Sequence, residues 1–331
     1  MTQDSTTRQN PFKPIYQRAN AGDSWQKFKE LEAFPNYVDI ELTNLCNFRC
    51  LMCPTGNFSQ KRAKGFLDIE IYRKVISELA DHGTPIRFIR WGEPFMHPNF
   101  IEMLRIAKSA GLLMHVNTNG SYLTDALIEE LVEIPLDSIK FSFQGVDRKS
   151  YNEMRNTDFF DELITVMRQF KELRGDRLFP YMHLSTSITY ESDDEVKSFK
   201  NMISEIVDSV TIGRTVLDFI DIETVRLRPH EVEMLRTLKA QESVVKAHPE
   251  CPEVYDKLSI NWDGTVTACC GDSDNLMLVG DINKQSLAEV WKSDQLNEYR
   301  RILADMRHDE LDLCKNCYSY QDPKIQHLEN L

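Results

Sequence analysis

The stretch Tyr37-Val-Asp-Ile-Glu-Leu-Thr-Asn-Leu-Cys46-Asn-Phe-Arg-Cys50-Leu-Met-Cys53 decides how this chain is read. Its first half alternates: Val38, Ile40 and Leu42 fall on one face of an extended segment, and Asp39, Glu41 and Thr43 on the other. A strand buried on both faces of a parallel sheet normally reads as an unbroken apolar run. This one needs helices against its apolar face and something polar against the other. Its second half is a CxxxCxxC loop. That spacing lets three thiolates converge on one face of an iron–sulfur cubane and leaves the fourth iron open to a small molecule. Zinc is the competing reading, but zinc sites use paired CxxC motifs or a nearby fourth ligand, and none lies close in sequence.

Outward from this segment the pattern recurs. Strands are predicted at Tyr37–Leu45, Ile86–Trp91, Leu112–Asn117, Ser138–Phe143, Tyr181–Tyr190 and Ser209–Gly213. Between them helices are predicted at Ile69–Asp81, Phe100–Ser109, Asp125–Glu133, Phe159–Leu173 and Asp194–Val207. Such alternation gives parallel strands joined by right-handed crossovers. The fold class is therefore α/β, a partial (β/α)6, TIM-like barrel rather than a closed eight-fold one. His115, Asn117 and Asn119, then Lys140, Ser142 and Gln144, then His183, Ser185 and Ser187 oppose apolar neighbours on their strands. Helices outside take the apolar faces, so the polar sets point into a lumen. That lumen is either a self-satisfied ion-pair network or, near the C-terminal strand ends, a pocket for a polar substrate.

The pattern breaks after Gly213. Residues 214–229 read as a connector and His230 to about His248 as a helix. Leu258–Ala268 reads as a β-hairpin turning at Asp263-Gly264, and a helix over roughly Leu287–Met306 precedes Cys314-Lys-Asn-Cys317. The expected organisation is a polar lead-in at 1–36, irregular apart from a helical stretch at Trp25–Phe34, then a barrel at 37–215. A connector with a helix follows at 216–250, and a small C-terminal α+β domain at 251–331.

Composition is that of a globular chain, 41% hydrophobic and 27% charged over 331 residues. No run of about 18 apolar residues could span a membrane. Met1–Asn10 lacks an apolar signal segment, so a cytoplasmic location is expected. The net charge of −13 argues against a nucleic-acid binder, while leaving room for a local basic patch where an acidic electron carrier docks. Eight cysteines without an export signal point to metal ligation or redox chemistry rather than disulfides. After Cys53 none occurs until Cys251, Cys269, Cys270, Cys314 and Cys317.

Cys46, Cys50 and Cys53, placed just after the first strand of a βα barrel, resemble the radical S-adenosylmethionine superfamily. The resemblance implies a [4Fe–4S] cluster whose open iron chelates S-adenosylmethionine, and a 5′-deoxyadenosyl radical that abstracts a substrate hydrogen. It implies that Met52 lies against adenine. Trp91-Gly92-Glu93-Pro94 is similar to the family's GGEP motif, with Trp91 in place of the first glycine, so Gly92, Glu93 and Pro94 would meet the methionine amino group. Asn119, Ser142, Gln144, Arg155 and Ser187 stand where the family places further cofactor contacts.

The C-terminal cysteines resemble the first half of a SPASM domain, in the truncated form called twitch. On that resemblance Cys251, Cys269, Cys314 and Cys317 ligate a second [4Fe–4S] cluster. Cys270 is left over: it points away, replaces Cys269 as ligand, or donates a hydrogen atom to a substrate radical. Twitch-type dehydrogenases oxidise a hydroxyl-bearing carbon, with the auxiliary cluster as electron acceptor. A sugar or aminocyclitol-like substrate is thus expected here, with Arg214, His183 and Glu41 as candidate proton acceptors by strand position. The alternative is an epimerase or a peptide-modifying maturase, for which the lead-in is short of a peptide-recognition domain. Expected partners are a small polar substrate and a flavodoxin- or ferredoxin-like electron donor, with no nucleic acid and no membrane.

Overall fold

Six alternating segments form parallel strands lying side by side in chain order: β1 (Tyr37–Ile40), β2 (Ile86–Phe88), β3 (Met114–Thr118), β4 (Ser138–Ser142), β5 (Tyr181–Ile188) and β6 (Ser209–Arg214). The structure, a computed structural model, describes residues 8–19, 23–217, 219–241, 251 and 253–317. Three further strands extend the sheet past β1. They are β7 (Lys257–Ile260), parallel to β1, then β8 (Thr265–Thr267) and β9 (Leu278–Asp281), both antiparallel to their neighbours. The nine-stranded sheet ends at β6 on one edge and β9 on the other, so the barrel is partial.

The helices are α1 (Lys13–Ala19), α2 (Ser24–Lys29), α3 (Ile69–His82), α4 (Phe100–Ser109), α5 (Asp125–Glu133), α6 (Arg148–Arg155), α7 (Phe160–Arg174), α8 (Asp193–Ser204), α9 (Pro229–Gln241), α10 (Glu253–Asp256), α11 (Leu287–Trp291) and α12 (Asp294–Ala304). Their ends are encoded locally. Asp68 caps α3 by accepting from the N–H groups of Glu70 and Ile71, and Gly83 closes it in the left-handed conformation. Ser192 and Glu195 form a capping box on α8. Tyr72, Val75, Ile76 and Leu79 of α3 pack on the same core as Val38 and Ile40, as the strand alternation requires. None of these helices is long and apolar enough to cross a membrane.

Several expected boundaries move. Strands β1 and β2 end earlier than predicted, where the chain leaves the sheet for the site loops. The single helix expected over Leu287–Met306 is two, because the Ser293 side chain accepts from Leu296 N–H and starts α12 afresh. Within the described part of the lead-in, Lys13–Ala19 is helical where irregular chain was expected: Phe12 and Ile15 are buried with Tyr37, and the Phe12 ring centroid lies 5.5 Å from that of His115. It therefore seals the N-terminal end of the barrel. The expected continuation of α9 to His248 lies outside the described residues.

The ion-pair reading of the lumen holds for its lower part, and a cavity stands above it. Low in the barrel Arg87 donates twice to Asp39, at 2.7 and 2.9 Å, and Lys257 Nζ lies 3.1 Å from the same carboxylate. His115 pairs with Ser138 and Asn117, and His183 with Ser209 at 2.7 Å. Above this ion-pair layer, at the C-terminal strand ends, the lumen opens.

Candidate active site

The opening is a cavity of about 430 Å³ lined by Cys46, Cys50, Met52, Cys53, Glu41 and Arg90, by the turn after β2 and by the ends of β3 to β6. The cysteine loop is fastened at several points. Cys46 Sγ accepts from Phe48 N–H at 3.5 Å, and Asn119 Nδ2 lies 3.9 Å from it. Arg155 Nη1 approaches Cys50 Sγ at 3.6 Å while its Nη2 donates to the Phe143 carbonyl. The turn after β2 presses directly on this loop. Gly92 has φ +115°, and a Cβ there would stand 2.2 Å from the Thr43 carbonyl oxygen, so only glycine fits.

Glu93 is buried and accepts from Thr118 Oγ1 and Asn119 N–H, both at 2.8 Å, and from Phe95 N–H at 3.3 Å. Burial pushes its carboxyl up to about 7, against those hydrogen bonds, which favour the ionised form. The structure thus places Met52, Gly92, Glu93, Pro94, Asn119, Ser142, Gln144, Arg155 and Ser187 on one cavity with the three cysteines. Arg214 also lines it, at the end of β6. The connector takes part too: Val216 and Phe219 line the mouth, and Met52 packs against the apolar cluster of Met154, Leu217, Ile220 and Leu235.

Other expected residues stand differently. Glu41 lines the cavity, with Arg62 engaging both of its carboxylate oxygens, at 2.9 and 2.7 Å. His183 is not among the lining residues; it lies in the lower layer, and burial followed by Lys140 pushes its imidazole down to about 4. Cys270 is not on the cavity either. Its sulfur lies 3.1 Å from Lys257 Nζ and 3.6 Å from Glu253 Oε2. A shared hydrogen bond pushes the Cys269 thiol up and the Cys270 thiol down, and Lys257 reinforces the second shift.

Cys269 ends the hairpin beside Cys270, and the ligand atoms of both lie within 4.8 Å of each other and of Glu253. Cys314 is buried, and its thiol is pushed up by burial and then by Cys251 and Cys317. Residues the sequence reading passed over are Thr118, which grips Glu93, and Arg62 and Arg90, whose partners lie far away in sequence. A basic residue immediately before Trp91-Gly92-Glu93-Pro94 was the available signal for Arg90.

The donor set suits a cluster and a zwitterionic cofactor. All eight cysteines are thiols rather than disulfides. Burial pushes Cys46 up to about 12 and raises Cys53 as well, so these sulfurs ionise only with a bound cation to compensate them. Among the described residues Arg155 Nε is buried on this wall without a hydrogen-bond partner, a donor left for a ligand.

A partial parallel barrel with a cysteine loop after its first strand and a buried carboxylate after its second defines an iron–sulfur enzyme class. Residues 40–203 match the family model of the Radical SAM superfamily, and residues 251–318 that of SPASM, an iron–sulfur cluster-binding domain. The chain is a radical S-adenosylmethionine enzyme with a C-terminal SPASM domain, and the two domains imply S-adenosylmethionine and iron–sulfur clusters as its cofactors.

The tungsten-containing aldehyde ferredoxin oxidoreductase cofactor-modifying protein of Pyrococcus furiosus is 23% identical over 303 residues, 80% of this chain and 83% of that protein. The S-adenosyl-L-methionine-dependent 2-deoxy-scyllo-inosamine dehydrogenase of Niallia circulans is 21% identical, over 85% of this chain and 91% of its own. Among solved structures, BtrN in complex with AdoMet and 2-DOIA superposes with a TM-score of 0.56 at 16% identity, over 86% of this chain and 93% of that one. SuiB of Streptococcus suis bound to S-adenosylmethionine reaches 0.63 at 17% identity, over 83% and 70%.

Proposed function

We propose that this enzyme oxidises a hydroxyl-bearing carbon of a sugar or aminocyclitol-like substrate to a ketone. The observation that carries the reading is one cavity with the three cysteines of residues 46–53 on one side, hydroxyl- and amide-bearing strand ends around it, and Arg90 on the side of the second cysteine set. The dehydrogenase relative, matched over 91% of its length, supports the same choice.

When bound, the groups implied by the two domains supply a 5′-deoxyadenosyl radical and an acceptor for one electron, so that the alcohol loses a hydrogen atom, a proton and an electron. The chain's own residues do the rest. Cys46, Cys50 and Cys53 hold the catalytic cluster, Cys251, Cys269, Cys314 and Cys317 the auxiliary one. Glu93 takes the cofactor's ammonium and Arg155 its carboxylate; Met52 covers the adenine. Asn119, Ser142, Gln144 and Ser187 would make the further cofactor contacts, and Asn117 on the same cavity would meet a substrate hydroxyl. Of the three side chains considered for the proton, Arg214 and Glu41 line the cavity; Arg214 cannot accept the proton, which would leave to solvent. A guanidinium does not deprotonate, but it stabilises the alkoxide form of the reacting hydroxyl and so favours proton loss. A reducing, cytoplasmic setting and a flavodoxin- or ferredoxin-like donor belong to the same proposal. The epimerase alternative asks for a thiol on the cavity opposite the radical, and Cys270 lies outside it, beside Lys257.

The test is anaerobic turnover of the reconstituted enzyme with S-adenosylmethionine and a panel of polyols and aminocyclitols. Stoichiometric 5′-deoxyadenosine and ketone, with deuterium moved from the carbinol carbon into 5′-deoxyadenosine, is the expected result. Deuterium wash-in with no change in oxidation level, or turnover on peptides alone, would sink the reading.

A further inference from the structure

Arg90 stands immediately before the turn that carries Glu93, with φ +137°, a backbone region that favours glycine. A residue with a side chain persists in such a conformation only where its surroundings over-determine it. Here they do. Nη1 donates to Thr267 Oγ1 at 2.9 Å and to the Cys269 carbonyl at 3.0 Å. Nη2 donates to Asn261 Oδ1 at 2.7 Å and to the Asp272 carbonyl at 2.9 Å. Nε lies 3.9 Å from Glu41 Oε2, and the side chain is wholly buried.

The backbone of Arg90 therefore belongs to the cofactor turn, while all four acceptors belong to the hairpin and the loop that follows it. Two of those acceptors are main-chain carbonyls, that of Cys269 itself and that of Asp272, on either side of Cys270 and Gly271. Arg62 makes a second bridge of the same kind, donating from Nε to the Ser273 carbonyl at 2.7 Å while its other nitrogens hold Glu41. Only a planar fork can serve four acceptors at once; a lysine ammonium is a single point.

We propose that Arg90 is a positioning residue that clamps the Cys269–Asp272 segment onto the cofactor turn. It also fixes a permanent positive charge between the two cluster sites, raising the reduction potential of the auxiliary cluster. The proposal rests on the reading that Cys269 helps to ligate that cluster. Potentials of such clusters follow local charge, hydrogen bonding and exposure, and reduction adds negative charge that a neighbouring cation stabilises.

The experiment uses a parent with Cys46, Cys50 and Cys53 all changed to Ala, so that only the auxiliary cluster reports, followed by anaerobic redox titration monitored by EPR. Arg90→Met in this parent should shift the midpoint to more negative potential, and Arg90→Lys should shift it less. Asn261→Asp keeps an acceptor for the fork while neutralising its charge, and should lower the midpoint even if Arg90→Met does not fold. Unshifted midpoints in the variants that fold overturn the proposal. A parent that holds no iron overturns it too, but by removing the auxiliary cluster itself, a failure that iron analysis separates from the first.

Discussion

Asn119 donates its backbone N–H to Oε2 of Glu93 at 2.8 Å, so the end of β3 grips the carboxylate that the turn after β2 presents. Burial holds that carboxyl at about 7 before any cation arrives. Below that value it is protonated and neutral, and above it the carboxylate is ready to meet an ammonium. Binding of S-adenosylmethionine should therefore strengthen as pH rises through about 7. Glu93→Gln should weaken it by about 10–100-fold, the loss of one charged hydrogen bond. Titrating the cofactor-induced change in the cluster EPR signal at several pH values measures both effects.

Replacing Cys46, Cys50 and Cys53 together by Ala should lower iron from about eight to about four atoms per chain, one cubane fewer. The remaining signal should ignore S-adenosylmethionine. About four irons in the wild type and none in the variant would remove the auxiliary cluster, and a redox-neutral reaction would replace dehydrogenation.

Gly92→Ala should disturb the cysteine loop without touching a ligand. The new Cβ meets the Thr43 carbonyl at 2.2 Å, and the backbone there has φ +115°. A loss of roughly 1–3 kcal/mol in stability is expected from such overpacking, together with a weakened response to the cofactor. Calorimetry and cofactor titration measure the two separately.

The lower lumen should make the fold sensitive to mild acid. His183 is pushed down to about 4 by burial and then by Lys140, and His115 is also pushed down, first by burial. The unfolded chain therefore binds more protons than the folded one between about 6.5 and about 4. Stability is full above that window and is lost as pH falls through it. Urea midpoints measured across this range should fall in the wild type, and less steeply in His183→Gln.

Asp39 titrates lower still. Burial alone would raise its carboxyl, but Arg87 and then Lys257 outweigh that and hold it at about 2. Asp39→Asn leaves the buried Arg87 without its acid and Lys257 with Glu253 alone, and should cost about 3–5 kcal/mol, visible as a lower denaturant midpoint. An Asp39→Asn variant as stable as the wild type would show that the layer is solvated rather than closed.

Much of this was legible in one dimension because the determining signals are local. Three cysteines within eight residues must share a loop, a glycine and glutamate before a proline make a turn, and period-two alternation assigns each strand residue to a face whatever the strand pairs with. The cavity-lining set from Met52 to Ser187 came instead from the resemblance of these local motifs to the radical S-adenosylmethionine family, and strand position supplied only Arg214, His183 and Glu41. Alternation cannot say at what height a lumen changes from salt bridges to open space. His183 and Ser187 share a face of β5, yet Ser187 lines the cavity and His183 does not.

Only the tertiary structure decided who neutralises whom. Glu41 reads as a candidate proton acceptor in sequence and is taken by Arg62; Arg90 has no assigned role in sequence and reaches a carbonyl 179 residues away. The parallel docking of β7 on β1, and the closure of the barrel floor by Phe12 and Ile15, are likewise absent from any local pattern. Periodicity is a property of neighbours along the chain and survives translation into structure. Charge compensation depends on distances of about 3 Å between segments, which exist only once the chain has closed on itself.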